Sequence, residues 1–195
     1  MFTKILICLL LIVAITVGAT LQLKEQSQPP YGATVENHTG IFTFSGVIDS
    51  ASIHAALNYF LDNDLEKVVI EIHSPGGSLF EVWRIIALLE EHGDKLHYET
   101  RVYGVAGSGG FMVFLAGDER LISRHAVFLW HNVEARMSAG DNKFFDDASN
   151  EYIASRTGMT FKQVEEKITN GERKKDWYFG AKEAIALGIA HGYID

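Results

Sequence analysis

Glycine placed at two strand-to-helix turns constrains this 195-residue chain more than any other feature. The first turn, Ser74-Pro75-Gly76-Gly77-Ser78, directly follows the β-branched run of residues 67–72. Val82, Ile85, Ile86 and Leu89 come next at helical spacing. The second, Gly104-Val105-Ala106-Gly107-Ser108-Gly109-Gly110, lies between a strand-like segment at 96–102 and an apolar helix-like one at 108–116. Glycine admits backbone conformations that other residues avoid and has no side chain to block a ligand. A helix starting at such a turn also aims free N–H groups into the gap, a ready place for an oxyanion.

The alternation continues along the chain. Strands are expected at 40–48, 67–72, 96–102, 120–122 and 126–130, and helices at 51–63, 78–92, 108–116 and 142–155. Asp49-Ser50 supplies a cap for the first helix, whose Ile53, Ala56, Leu57 and Phe60 share one face. Repeated strand–helix units predict an α/β fold with a mainly parallel sheet, right-handed crossovers and helices on its faces.

Residues 1–19 belong to a different regime. Lys4 is their only charge, an apolar run fills 5–15, and Thr16-Val17-Gly18-Ala19 closes the segment. A basic start, an apolar stretch and small residues at its end match a secretory signal peptide, with cleavage expected after Ala19. Left uncut, residues 5–19 fall only slightly short of the ~20 needed to span a bilayer, so they also qualify as a membrane anchor. A buried helix fits less well, because no polar face breaks the run. On either reading the domain is exported, to the periplasm or another extracytoplasmic space. Cys8, the one cysteine, lies inside this leader and lacks the preceding small residues of a lipidation site. The exported part therefore has no disulfide and holds together by its core. Residues 20–38, polar and broken by Pro29-Pro30, read as a linker or arm, and 39–195 as the domain.

Charge narrows the function classes. Acidic residues outnumber basic ones 25 to 17, a net −8, and loss of the Lys4 leader makes the balance one unit more negative. A nucleic-acid binder needs a basic face, so that class is excluded.

The glycine turns point instead to acyl chemistry. Ser108 has small neighbours, a hydroxyl at a helix start and a following N–H available to an anion, which is what a nucleophilic serine requires. Residue 106 is Ala, so this is not a Gly-x-Ser-x-Gly elbow, and no lysine follows as in a phosphate loop. Ser108 is equally readable as an ordinary capping residue. Of the eight histidines, His131 alone ends a rigid apolar strand, at residues 126–130, and is the candidate base. His73, His92, His97 and His125 lack partners at metal-ligand spacing, so neither a metal site nor a cofactor is expected. A third, orienting acid is required, and spacing does not choose among Asp141, Asp146, Asp147 and Asp176.

Together these segments resemble the proteolytic subunit of the Clp proteases over about residues 44–195. The likeness runs through Ser74-Pro75-Gly76-Gly77, the Gly104–Gly110 turn, Ala116-Gly117, the strand ending in His131 and Thr157-Gly158. It continues in Asp176-Trp177-Tyr178-Phe179-Gly180-Ala181-Lys182-Glu183-Ala184 and in the closing Tyr193-Ile194-Asp195. The resemblance implies a ClpP/crotonase-like fold and a serine endopeptidase with Ser108 as nucleophile, His131 as base and Asp176 as orienting acid. The N–H groups of Gly77 and Gly109 would form the oxyanion hole. It further implies peptide or unfolded-protein substrates and a homo-oligomer. Export would separate such a chain from cytosolic ATPases, so the expected peptidase is ATP-independent. Two other classes share the pattern: a crotonase-type acyl-transfer enzyme, and a non-catalytic scaffold that binds peptides by strand addition. A Ser-Lys peptidase would need a lysine where His131 stands, and Lys143 follows no apolar strand.

Overall fold

The computed structural model describes residues 28–49, 52–133, 138–170 and 173–195, so the expectations for residues 1–19 lie outside it. The strands are β1 (Ala33–Glu36), β2 (Thr39–Ser45), β3 (Lys67–Ser74), β4 (His97–Gly107), β5 (Glu119–Ile122), β6 (Val127–Trp130), β7 (Thr169–Asn170), β8 (Arg173–Lys174), β9 (Trp177–Gly180) and β10 (Gly192–Tyr193). The helices are α1 (Ser52–Asp62), α2 (Leu79–His92), α3 (Gly109–Leu115), α4 (Ala139–Arg156), α5 (Phe161–Ile168) and α6 (Ala181–Ala186). No helix among the described residues is long and apolar enough to cross a membrane.

Eight strands form one mixed, mainly parallel sheet in the order β1-β2-β3-β4-β5-β10, with β6 joined to β4 and β9 to β6. The parallel pairs are β2–β3, β3–β4, β4–β5, β4–β6 and β5–β10. β1–β2 and β6–β9 are antiparallel. β4 carries the architecture: Glu99–Val102 pair with β5, whereas Val105–Gly107 pair with β6. Against β3 its register slips between Ile72 and Ser74, where Ile72 faces Val102 but Ser74 faces Ala106. The extra residues bend β4 at this irregularity, so that its end runs beside β6 instead of β5.

Helix burial follows the apolar spacing. Ile53, Ala56, Leu57 and Phe60 of α1 are fully buried, and so are Val82 and Ile85 of α2. Each large apolar side chain among them stabilises the fold by about 1.5–3 kcal/mol relative to exposure. Every residue of α3 is buried, as expected for a helix that is apolar all round.

Beyond the expected list the chain adds α5, α6 and β7–β10, and three segments read from the sequence take a different form. The first strand ends at Ser45, where Gly46 turns out with φ 90° and Ile48 makes an isolated bridge to Gly77. β4 runs on to Gly107, because the small residues read as a turn continue the extended backbone. Ala33–Glu36, inside the segment read as an arm, form a hairpin strand with β2. Its two-residue turn, Asn37-His38, has both residues at left-handed φ (48° and 62°), matching the twist of the flanking strands.

Candidate active site

β3 and β4 deliver both glycine turns to one cavity of about 320 Å³, lined by Gly77, Ser78, Leu79, Phe80, Ser108, Gly109, Met112, Trp130, His131 and Val133. Ser108, His131, Gly77 and Gly109 are thus brought together from three separate parts of the chain.

Local chemistry explains each placement. Ser108 caps α3 with φ 49° and ψ −120°, a conformation unusual for a residue with a side chain. Its N–H donates to the Leu129 carbonyl at 2.8 Å, one hydrogen bond beyond the β4–β6 ladder, and its carbonyl accepts from Phe111 and Met112. Ser108 is half-buried and lines the cavity.

The first turn is shaped by Ser74, fully buried, whose hydroxyl accepts from the Gly76 N–H at 3.1 Å. Ile48 donates to the Gly76 carbonyl (2.9 Å) and accepts from Ser78 N–H (2.7 Å). In extended chain successive amides point to opposite sides, so the Gly77 N–H faces away from Ile48. Among the described residues, no hydrogen bond uses the Gly77 or the Gly109 N–H. The two amides are neighbours, since a Cβ on Gly109 would lie 3.6 Å from the Gly77 nitrogen. Side chains are excluded from both: a Cβ on Gly77 would sit 2.1 Å from the Ile48 carbonyl oxygen, and one on Gly109 would sit 2.5 Å from Val82 Cγ2.

His131 follows the last residue of β6 and is half-buried. Its Nδ1 lies 2.7 Å from the Asn132 carbonyl oxygen. A carbonyl only accepts, so Nδ1 carries the proton in this bond and Nε2 carries the lone pair that a base uses.

Asp176 does not line the cavity. The β6–β9 register pairs Trp130 with Trp177, so the next position sets His131 opposite Asp176 just beyond the ladder. The Asp176 side chain is exposed and accepts from the Tyr178 hydroxyl at 3.4 Å. Of the other acids, Asp141 closes the N-terminus of α4 with Ser138, and Asp147 pairs with Lys143 at 2.8 Å. Asp146 accepts from the Val133 N–H at 2.5 Å, two residues past His131. The apolar wall of Leu79, Phe80, Met112, Trp130 and Val133 was not singled out from the sequence, although each lies within a few residues of one that was.

A sheet of this topology, with a serine turn, a glycine-amide pair and a strand-end histidine around one cavity, defines an α/β protein of the ClpP fold. The chain belongs to the Clp protease family, whose model, described as Clp protease, matches residues 33–195. Among solved structures it is similar to a point mutant of ClpP1 from Listeria monocytogenes, with a TM-score of 0.72. That match has 18% identity and covers 80% of this chain and 91% of the other, a likeness of fold. No curated protein matches the chain.

Proposed function

We propose that this chain is an exported, ATP-independent serine endopeptidase. Family membership makes peptide-bond hydrolysis the kind of function expected. The observation that carries the serine mechanism is the convergence of Ser108, the two unused glycine amides and His131 on one cavity. Ser108 Oγ attacks the substrate carbonyl carbon while its proton passes to His131 Nε2. The carbonyl oxygen becomes negative and accepts from the Gly77 and Gly109 N–H groups. As the C–N bond breaks, the proton on Nε2 goes to the leaving amine, and water then hydrolyses the acyl-enzyme by the same path. Asp176, opposite His131 in register, supports the imidazolium once its carboxylate turns from Tyr178.

The apolar wall favours an apolar substrate side chain, and so peptides or unfolded segments that expose one. Tyr103, Val127 and Tyr178 are exposed large side chains on the β4–β6–β9 part of the sheet, which supports a homo-oligomer. Export rests on the leader, which either is cleaved after Ala19 or anchors the domain through residues 5–19.

An active-site-directed fluorophosphonate tests the reading. Labelling is expected at Ser108, lost in Ser108→Ala and sharply reduced in His131→Ala. A folded, unlabelled wild-type protein from neutral to mildly alkaline pH would favour the peptide-binding scaffold. Protease accessibility in intact cells tests export.

A further inference from the structure

His131 sits one position past the end of β6 and its ladder. Beside the β9 pairing and the Phe111 ring, which hold Trp130, two side chains of α4 hydrogen-bond to residues 130 and 133. Trp130, 3% exposed, donates its indole N–H to Asn150 Oδ1 at 3.0 Å, and Asn150 is itself 3% exposed. Asp146 Oδ1 accepts from the Val133 N–H at 2.5 Å. Positions 146 and 150 are one helical turn apart and so lie on one face of α4. Their two bonds grip the chain on either side of the candidate base, one residue before it and two after. The same helix also reaches the opposite wall of the cavity. Phe145 packs edge-on against Phe80 at 5.7 Å between ring centres, and Phe80 follows the Gly77 turn.

We propose that Asp146 and Asn150 are positioning residues for His131. They act through the backbone of Val133 and the ring of Trp130, and neither lines the Ser108 cavity. With the segment held, the Asn132 carbonyl stays where it accepts the hydrogen bond from Nδ1–H, and in that neutral tautomer Nε2 keeps the lone pair. Released, the segment shifts relative to Ser108, which the β4–β6 pairing fixes independently. A displacement of about 1 Å between reacting groups costs on the order of a hundredfold in rate. The inference rests on the serine-peptidase reading only in calling His131 the base.

The test pairs two variants that remove an acceptor, Asp146→Ala and Asn150→Leu, with two that keep one, Asp146→Asn and Asn150→Asp. Nitrogen NMR of the imidazole, assigned against His131→Gln, reads the tautomer and titration of His131 without needing activity. Fluorophosphonate labelling of Ser108 reads reactivity. Removal of either acceptor is expected to mix the His131 tautomers and slow labelling at least tenfold, while the acceptor-keeping variants recover most of both. Wild-type tautomer and titration in Asp146→Ala and Asn150→Leu would overturn the proposal, even if labelling slowed, because the role would then be structural. Should Asn150→Leu fail to fold, Asp146→Ala at its half-buried position decides alone. If wild-type protein is not labelled, the peptidase reading fails, yet the NMR arm still decides whether the helix positions the ring.

Discussion

Gly76 touches Ser108 so closely that a Cβ built on it would lie 2.7 Å from the Ser108 Cβ. The same atom would stand 2.8 Å from the Gly107 carbonyl oxygen, and φ at Gly76 is 111°. Gly76→Ala therefore meets a backbone conflict and a forbidden torsion together. It is expected to destabilise the fold by about 2 kcal/mol or more and to abolish labelling at Ser108. Denaturant unfolding and labelling of the same preparation check both.

The left-handed φ at Ser108 is held against an intrinsic preference, which costs a residue with a side chain about 1–3 kcal/mol. Ser108→Gly removes that cost and the hydroxyl together. The expected outcome is a higher melting temperature with no labelling, whereas Ser108→Ala should lose labelling at unchanged stability. A Gly variant less stable than the Ala variant would contradict the assignment of strain.

His191 accepts from the Arg120 N–H through Nδ1 at 3.2 Å. Partial burial, then the positive charges of Arg120 and Arg156, hold its pKa below the usual 6.5, with Glu119 opposing. A depressed folded-state pKa means that its contribution is complete above 6.5 and is lost as pH falls through the folded value. Stability should therefore decline on the acid side of 6.5. His191→Asn, which keeps an acceptor but cannot protonate, should flatten that part of the melting-temperature profile.

Arg120, 6% exposed, spreads its guanidinium over four carbonyls: Ile189, Gly117, Gly188 and Arg156. Burial and then the neighbouring Arg156 push its pKa down to about 10, so it remains charged at neutral pH. Lysine has no planar fork to satisfy these acceptors at once. Arg120→Lys is expected to cost about 2–4 kcal/mol, seen as a lower urea midpoint at unchanged slope.

The element order was legible because the runs 67–72 and 126–130 are rich in β-branched or aromatic residues, and the helix faces repeat at 3.6 residues. The β1 hairpin was not, since its turn uses Asn37 and His38 in left-handed conformations that glycine usually supplies. α5 carried a readable signal in Thr160 and Gln163, whose side chains cap each other's backbone amides. In the site, Ser108, Gly77, Gly109 and His131 stood out because glycine clusters and a strand end are local features. Asp146 was one of four acids that spacing did not separate, and Asn150 carried no signal, because polar residues at 142, 146 and 150 fit a solvated helix face. Only the docking of α4 on residues 130–133, a long-range contact, turns that face inward.

The bond from the Ser108 amide to the Leu129 carbonyl also has an evolutionary side. Because that bond belongs to the main chain, it makes no demand on the identity of residue 129. Substitutions there can reshape the neighbouring surface while the serine keeps its place. The histidine two residues later depends on contacts made by side chains of α4, so it is the more easily lost of the two. Divergence in a chain built this way would erode the histidine before it displaced the serine.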